Sequence, residues 1–162
     1  MKKWFVVLAA LAFLIVIPSQ EAEAQVSFGP QVGLWDFDEL TIGGRVDIGL
    51  GDSFGIEEGV FQNLFASIDG NFVTGFGDAT ALMFGANANV PFDIEADVTP
   101  YAGAGINVFR LSATGVSSTN SGLNLLGGIF FGVGEIPAFA QLQYSTTGNG
   151  FVSISVGVLF GG

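Results

Sequence analysis

The sequence predicts an all-β chain closed into an eight-stranded antiparallel up-and-down transmembrane β-barrel. Three observations carry that prediction. Apolar residues recur at every second position in about eight segments separated by Gly, Pro, Asn and Asp, the period of an extended chain whose side chains alternate faces. Although 49% of the residues are hydrophobic, no segment after the N-terminal leader approaches the length of a spanning helix, so the apolarity is dispersed in strand-sized pieces. The faces opposite the apolar ones hold Gly, Ser, Asn and Gln, and only 12% of residues are charged, whereas the outer faces of soluble sheets are rich in Lys, Glu, Arg and Thr.

The N-terminus is read separately from the fold. Lys2 and Lys3 precede an apolar run from Trp4 to Ile17, and Pro18 opens a short polar stretch ending Ala22-Glu23-Ala24. That order predicts a secretory signal peptide over residues 1–24, with Ala22 and Ala24 as the small residues of a cleavage site ahead of Gln25. The run is too short for a membrane anchor, which needs ~20 apolar residues. Removing it leaves 138 residues (162 minus 24), one domain over 25–162. The remainder keeps Arg45 and Arg110 against thirteen acids (fifteen less Glu21 and Glu23), a net charge of −11 (2 minus 13). Such a balance excludes a nucleic-acid partner, which needs cations to displace phosphate counterions. It also disfavours an amphipathic helix lying on anionic lipid. With no cysteine, stability must come from something other than disulfides.

Taken in order, Val26, Phe28, Val32 and Leu34 share one parity before the turn Trp35-Asp-Phe-Asp-Glu39. Leu40, Ile42, Val46, Ile48 and Leu50 continue with Thr41, Arg45 and Asp47 opposite, and Gly51 to Gly59 is a turn. A third strand from Phe61 to Val73 sets Leu64, Ala66, Ile68 and Phe72 against Ser67, Asp69 and Asn71, closed by Gly75-Phe-Gly-Asp78. A fourth, Thr80 to Val90, sets Leu82, Phe84, Ala86 and Ala88 against Gly85, Asn87 and Asn89. Pro100 to Val108 is the fifth strand, Ser112 to Gly122 reads as the longest loop, and Leu123 to Val133 is a sixth strand whose faces are poorly separated. After Gly134-Glu-Ile-Pro137, Ala138 to Ser145 sets Gln141 and Gln143 against Leu142 and Tyr144. The eighth strand, Phe151 to Phe160, sets Val152, Ile154, Val156 and Val158 against Ser153, Ser155 and Gly157, and should pair with the first strand to close the ring.

An antiparallel sandwich in water would show the same alternation. It would also have long exposed edges and an outer face almost without charge, whereas closure in lipid pairs every backbone group and turns the apolar faces outward. Aromatic girdles are expected at both interfaces, with Phe28, Phe92 and Phe160 near one rim and Trp35, Phe76 and Tyr144 near the other.

The leader, the eight alternating strands, Tyr101-Ala-Gly-Ala-Gly105 and the aromatic-ended last strand together resemble small outer-membrane barrels of the OmpX and OmpA-transmembrane-domain type. The resemblance implies residence in the cell outer membrane, contact with its lipid, and handling by the outer-membrane assembly machinery. In that family the last strand carries the assembly signal, approximately polar-x-Gly-x-x-hydrophobic-x-aromatic. Ser153, Val158 and Phe160 match it, while Ser155 replaces the glycine and Gly161-Gly162 follow the aromatic.

Chemistry is restricted by what is missing. With no histidine or cysteine, and no lysine after Lys3, the usual activated nucleophiles and N/S zinc sites cannot be built, so the expectation is a non-enzyme without cofactor or metal. Lipid-A-modifying barrels that rely on a histidine base are disfavoured with them. Asp36, Asp38 and Glu39, and Asp93, Glu95 and Asp97, read as solvated acidic turns, a hard-cation site being the alternative. Inside the barrel, a hairpin centred near Glu57 would set Arg45 opposite Asp69 with Asp47 nearby, an ion cluster that plugs the lumen, separate solvation of each charge by water being the alternative. An eight-stranded ring is just wide enough for side chains to fill, so a wide pore is not expected. The functional expectation is a monomeric, non-enzymatic outer-membrane barrel serving envelope integrity or surface interaction. A narrow channel or carrier for small ligands, or a secreted soluble ligand-binding barrel, is the alternative.

Overall fold

The computed structural model describes residues 26–51, 54–55 and 58–161, so the leader with Ala22, Ala24 and Gln25 lies outside the described residues. The strands are β1 (Val26–Trp35), β2 (Glu39–Gly49), β3 (Phe65–Val73), β4 (Thr80–Pro91), β5 (Val98–Ala113), β6 (Val116–Val133), β7 (Ile136–Ser145), β8 (Phe151–Val158) and β9 (Phe160–Gly161). Every consecutive pair from β1 to β8 is antiparallel, and β8 and β9 both return to β1, which closes the ring. Closure satisfies the ladder groups that an open sheet would leave at its edges, the condition for a sheet to stand in hydrocarbon.

β8 and β9 are one strand interrupted at Leu159, so the ring has eight staves. The break follows from Pro30: pairing with β1 runs to Gln31↔Gly157 and resumes at Phe28↔Phe160, and between them Pro30 has no N–H to donate. On the other side the Leu159 amide donates to the Pro137 carbonyl at 2.8 Å, extending the β7 register by one pair, and side-chain alternation passes through unchanged.

Alternation decides what each face meets. Val32, Leu34, Ile42, Ile68, Phe72, Phe84, Leu142, Ile154 and Val156 are exposed on the outside, while Gln31, Thr41, Arg45, Asn71, Asn87, Asn89, Gln141 and Gln143 are buried within. This is the inverse of a water-soluble protein and the arrangement of a transmembrane barrel. On β4 the outward series from Leu82 to Phe92 covers roughly ten residue steps, which at ~3.3 Å per residue and a ~40° tilt gives about 25 Å, the height of an outer-membrane hydrocarbon band.

Three expectations about element boundaries are corrected. Residues 61–64 belong to a turn region and β3 begins at Phe65. The Ser112–Gly122 stretch is no loop: β5 and β6 run on as a paired hairpin to Ala113↔Val116, leaving only Thr114-Gly115 as the turn. Ser, Thr and Asn on both faces gave that stretch the composition of a loop, but they pair equally well in a hairpin that stands beyond the lipid, with Gly115 at φ 81 making the reversal. The next hairpin is likewise tight, Val133↔Ile136 around Gly134-Glu135, so Ile136 and Pro137 lie in β7 and not in the turn.

The starts of β1, β3, β5 and β7 and the end of β9 form one rim, here the proximal rim, and the opposite ends form the distal rim. Phe92 and Phe160 are exposed at the proximal rim and Tyr144 lies on the outside nearer the distal one. Trp35 and Phe76 depart from the expected girdle. They turn inward and pack on each other at 5.2 Å and on Phe109 at 5.1 and 5.9 Å. The parity of Trp35, which is that of buried Gln31, sends it into the barrel.

Candidate functional site in the lumen

The interior is layered. At the distal end Val73, Ala81, Met83 and Phe151 form an apolar plug with Trp35, Phe76, Phe109 and Leu111. Towards the proximal end Phe65, Tyr101 and Leu126 form a second, joined by Phe130. This explains why β6 alternates poorly: Asn124, Leu126 and Phe130 share the inward face, the last two because they fill the proximal plug.

Between the plugs lies a polar layer centred on Arg45, which is 2% exposed. Its Nε donates to Asp47 Oδ1 at 2.6 Å, and its Nη1 donates to Tyr101 Oη at 3.0 Å and to Gln141 Oε1 at 2.8 Å. Tyr101 in turn donates to the same Gln141 oxygen at 3.0 Å. The guanidinium stacks over Phe139 at 4.4 Å from its centroid, with the Tyr101, Phe130 and Phe65 rings at 5.4, 5.8 and 5.9 Å. A planar cation with forked donors suits a site that offers carboxylate, amide and aromatic faces together.

Register places Arg45 opposite Asp69, yet the ion pair forms with Asp47, and no Arg45–Asp69 bridge occurs among the described residues. The guanidinium reaches across the lumen to β5 and β7, while the Asp69 carboxylate accepts from Asn71 Nδ2 at 3.1 Å and Asn87 Nδ2 at 3.5 Å. Gly85, the cross-strand neighbour of Asp69, leaves the space that the carboxylate occupies, since a Cβ there would collide with it. Further polar links join Gln31 to Asn71, Asn89 to Ser67, and Asn124 to Asn87, at 2.8 to 3.0 Å. Thr147, in the β7–β8 turn at the distal rim, bonds Asn107 and Ser145.

A cavity of about 10 Å³ lies beside Asp69, Asn71, Gln143 and Ser153. That volume holds about one water molecule. Sequence reasoning named Arg45, Asp47 and Asp69 and missed Tyr101, Gln141 and Phe139, although all three carry inward parity.

The other singled-out residues lie elsewhere. Ser153 faces inward opposite Trp35 and Gln143, Val158 sits opposite Ala138, and Phe160 is exposed at the proximal rim opposite Phe28. In the first acidic turn Asp36 seals the barrel seam: its amide donates to the Val152 carbonyl at 2.7 Å and its Oδ1 accepts from the Val152 amide at 2.9 Å. Among the described residues, no three acids stand close enough to hold a metal ion.

No protein-family model matches the chain, and no curated protein matches it. Solved structures do. The N-terminal β-barrel domain of Pseudomonas aeruginosa OprF is 13% identical over 85% of this chain and 100% of that one, with a TM-score of 0.60. Ail, the attachment invasion locus protein of Yersinia pestis, is 20% identical over 87% of this chain and 100% of its own, with a TM-score of 0.52. The outer-membrane enzyme PagL is 15% identical over 83% and 98%, with a TM-score of 0.54. At these identities the likeness is one of architecture, and the chain has the fold of the small eight-stranded outer-membrane β-barrels.

Proposed function

We propose that this chain is a non-enzymatic, monomeric integral protein of the outer membrane, serving envelope integrity or surface interaction and conducting nothing through its centre. The observation that carries the reading is the filled lumen: Arg45 is locked to β2, β5 and β7 between two apolar plugs, and the opening beside Asp69 and Gln143 has room for about one water. A channel or carrier needs a continuous path or a ligand-sized space, and packing of this kind favours neither. Outer-membrane residence is supported by the apolar outer wall and by architectural likeness to proteins of that membrane. PagL is an enzyme on the same architecture, but this chain has no histidine or cysteine with which to activate a nucleophile.

The surface-interaction half of the reading rests on the distal hairpin. β6 meets β7 only from Asn124↔Ser145 onwards, with Leu123 held by Thr146, so residues 116–121 present a strand edge without a β7 partner. Between Val98 and Gly134 the sole charge is Arg110, which leaves this edge free of the acids that dominate the rest of the chain. An edge of that kind accepts an extended segment by main-chain hydrogen bonding.

Cell fractionation and gel mobility test residence: the protein should sediment with the outer membrane and migrate differently when unboiled. Planar-bilayer recording tests the lumen. Stable unitary currents from the purified barrel would overturn the non-conducting reading, and a protein that stays soluble without detergent would overturn membrane residence.

A further inference from the structure

The β2–β3 connection is the longest between adjacent strands, running from Leu50 to Leu64 at the proximal rim. It is unusually apolar for an aqueous loop. Phe54 is 67%, Val60 61% and Phe61 57% exposed, and Phe92 and Ile94 of the β4–β5 turn, at the same rim, are exposed as well. Large apolar side chains displayed together in this way mark a surface that meets something other than water.

We infer that this surface lies in the lipid leaflet at the proximal rim, where the β2–β3 connection acts as an interfacial anchor. The inference rests on the transmembrane reading and extends the lipid contact beyond the barrel wall. Continuity is the first argument. Leu50 and Leu64 carry the outward parity of β2 and β3, and the Leu50 amide donates to the Leu64 carbonyl at 2.8 Å, so the lipid-facing wall runs one pair further into the connection. Phe92 likewise continues the outward series of β4 past Pro91, with its amide bonded to the Pro100 carbonyl at 2.7 Å. Phe54, Val60 and Phe61 stand immediately beyond this apolar rim.

The backbone supplies the second argument. Entering a region poor in water requires internal partners for the peptide groups. Phe54 N donates to Leu50 O, Gln62 N to Gly59 O and Leu64 N to Phe61 O, each at 3.1 Å. Charge supplies the third. By sequence the connection carries three acids, Asp52, Glu57 and Glu58, and with Asp93, Glu95 and Asp97 in the neighbouring turn the matching headgroup is zwitterionic rather than anionic. Aromatic side chains at the junction of hydrocarbon and headgroup are a usual anchor of membrane proteins.

The chain has no cysteine, so single nitroxide labels can be placed without altering the native background. Phe54→Cys and Phe61→Cys would be labelled, folded into phosphatidylcholine vesicles, and compared by oxygen and nickel-chelate accessibility. Val156→Cys on the outer wall and Thr114→Cys at the hairpin tip are the references. The expected result is an oxygen-to-nickel ratio at positions 54 and 61 close to that at 156 and well above that at 114. A ratio equal to that at 114, with 156 still oxygen-accessible, overturns the anchor and leaves a protein partner as the cover for this surface. Nickel access at 156 itself would instead overturn the transmembrane reading on which the inference depends.

Discussion

Replacing Arg45 by Met tests whether the lumenal network holds the barrel together. The substitution keeps an aliphatic stem beside Phe139 and removes the guanidinium, hence the 2.6 Å pair with Asp47 and the bonds to Tyr101 and Gln141. Tyr101 still donates to Gln141, so those two groups keep a partner. Asp47 does not, and a buried charge stripped of its counter-ion costs about 3–5 kcal/mol. Loss of stacking on Phe139 adds ~0.5–2 kcal/mol, part of which the Met sulfur restores. Asp47→Asn alone should cost less, about 1–2 kcal/mol, because the amide oxygen can still accept from Nε and the neighbouring Asp69 carboxylate remains to offset the Arg45 charge. The double variant leaves neither charge, so its cost should fall short of the sum of the singles by about 2 kcal/mol. The assay is urea unfolding of the barrel in vesicles, followed by mobility of unboiled samples and by Trp35 fluorescence. An Arg45→Met cost below ~0.5 kcal/mol, or strict additivity in the cycle, would refute the network as a source of stability.

Depth along the outer wall supplies a second prediction. Val156, paired with Val32 and Ala140 midway along β1 and β7, should lose ~2–4 kcal/mol on Val156→Arg, while Phe160→Arg at the proximal rim should lose only ~0–1 kcal/mol. Equal costs in the same unfolding assay would mean that the wall does not face hydrocarbon. Gly128→Ala should be costly although it adds one methyl: the new Cβ would stand 2.5 Å from Tyr101 Cζ and Oη and 2.6 Å from the Ala140 carbonyl. Overpacking of this kind costs ~1–3 kcal/mol, and displacing Tyr101 should lower the coupling between Arg45 and its partners, readable by repeating the Arg45→Met measurement in that background.

Strand identity and facing were legible because period-2 alternation survives in nearly every segment, and even the register of β2 on β3 followed from the symmetry of the connecting turn. Strand ends were not. Beyond the lipid no apolar face is required, so the hairpin from Asn107 to Gly122 loses the pattern that marks strands elsewhere while keeping its backbone pairing. The charge cluster was legible as to residues but not as to partners. Arg45 and Asp69 are register neighbours, but the guanidinium leans towards Tyr101 and Gln141, which lie 56 and 96 residues away in sequence and meet it only once the ring closes. Trp35, Phe65, Phe109, Phe139 and Phe151 all carried inward parity, the one available sign that the lumen has apolar plugs as well as a polar middle.

Glycine explains how so narrow a ring holds so much. The large inward side chains repeatedly face a glycine on the adjoining strand: Asp69 faces Gly85, Asn71 faces Gly43, Asn87 and Asn89 face Gly105 and Gly103, Tyr101 faces Gly128, and Phe139 faces Gly157. In each pair a Cβ on the glycine would strike the opposing side chain. The large residue therefore lies over its neighbour's bare backbone instead of pointing at the axis, and several such residues fit at one height where the radius admits only a few. Six of the 25 glycines are thus the complement of lumenal side chains. Opening a path through this interior would require several of these pairs to part together, since moving one side chain only carries it into space already filled by the next.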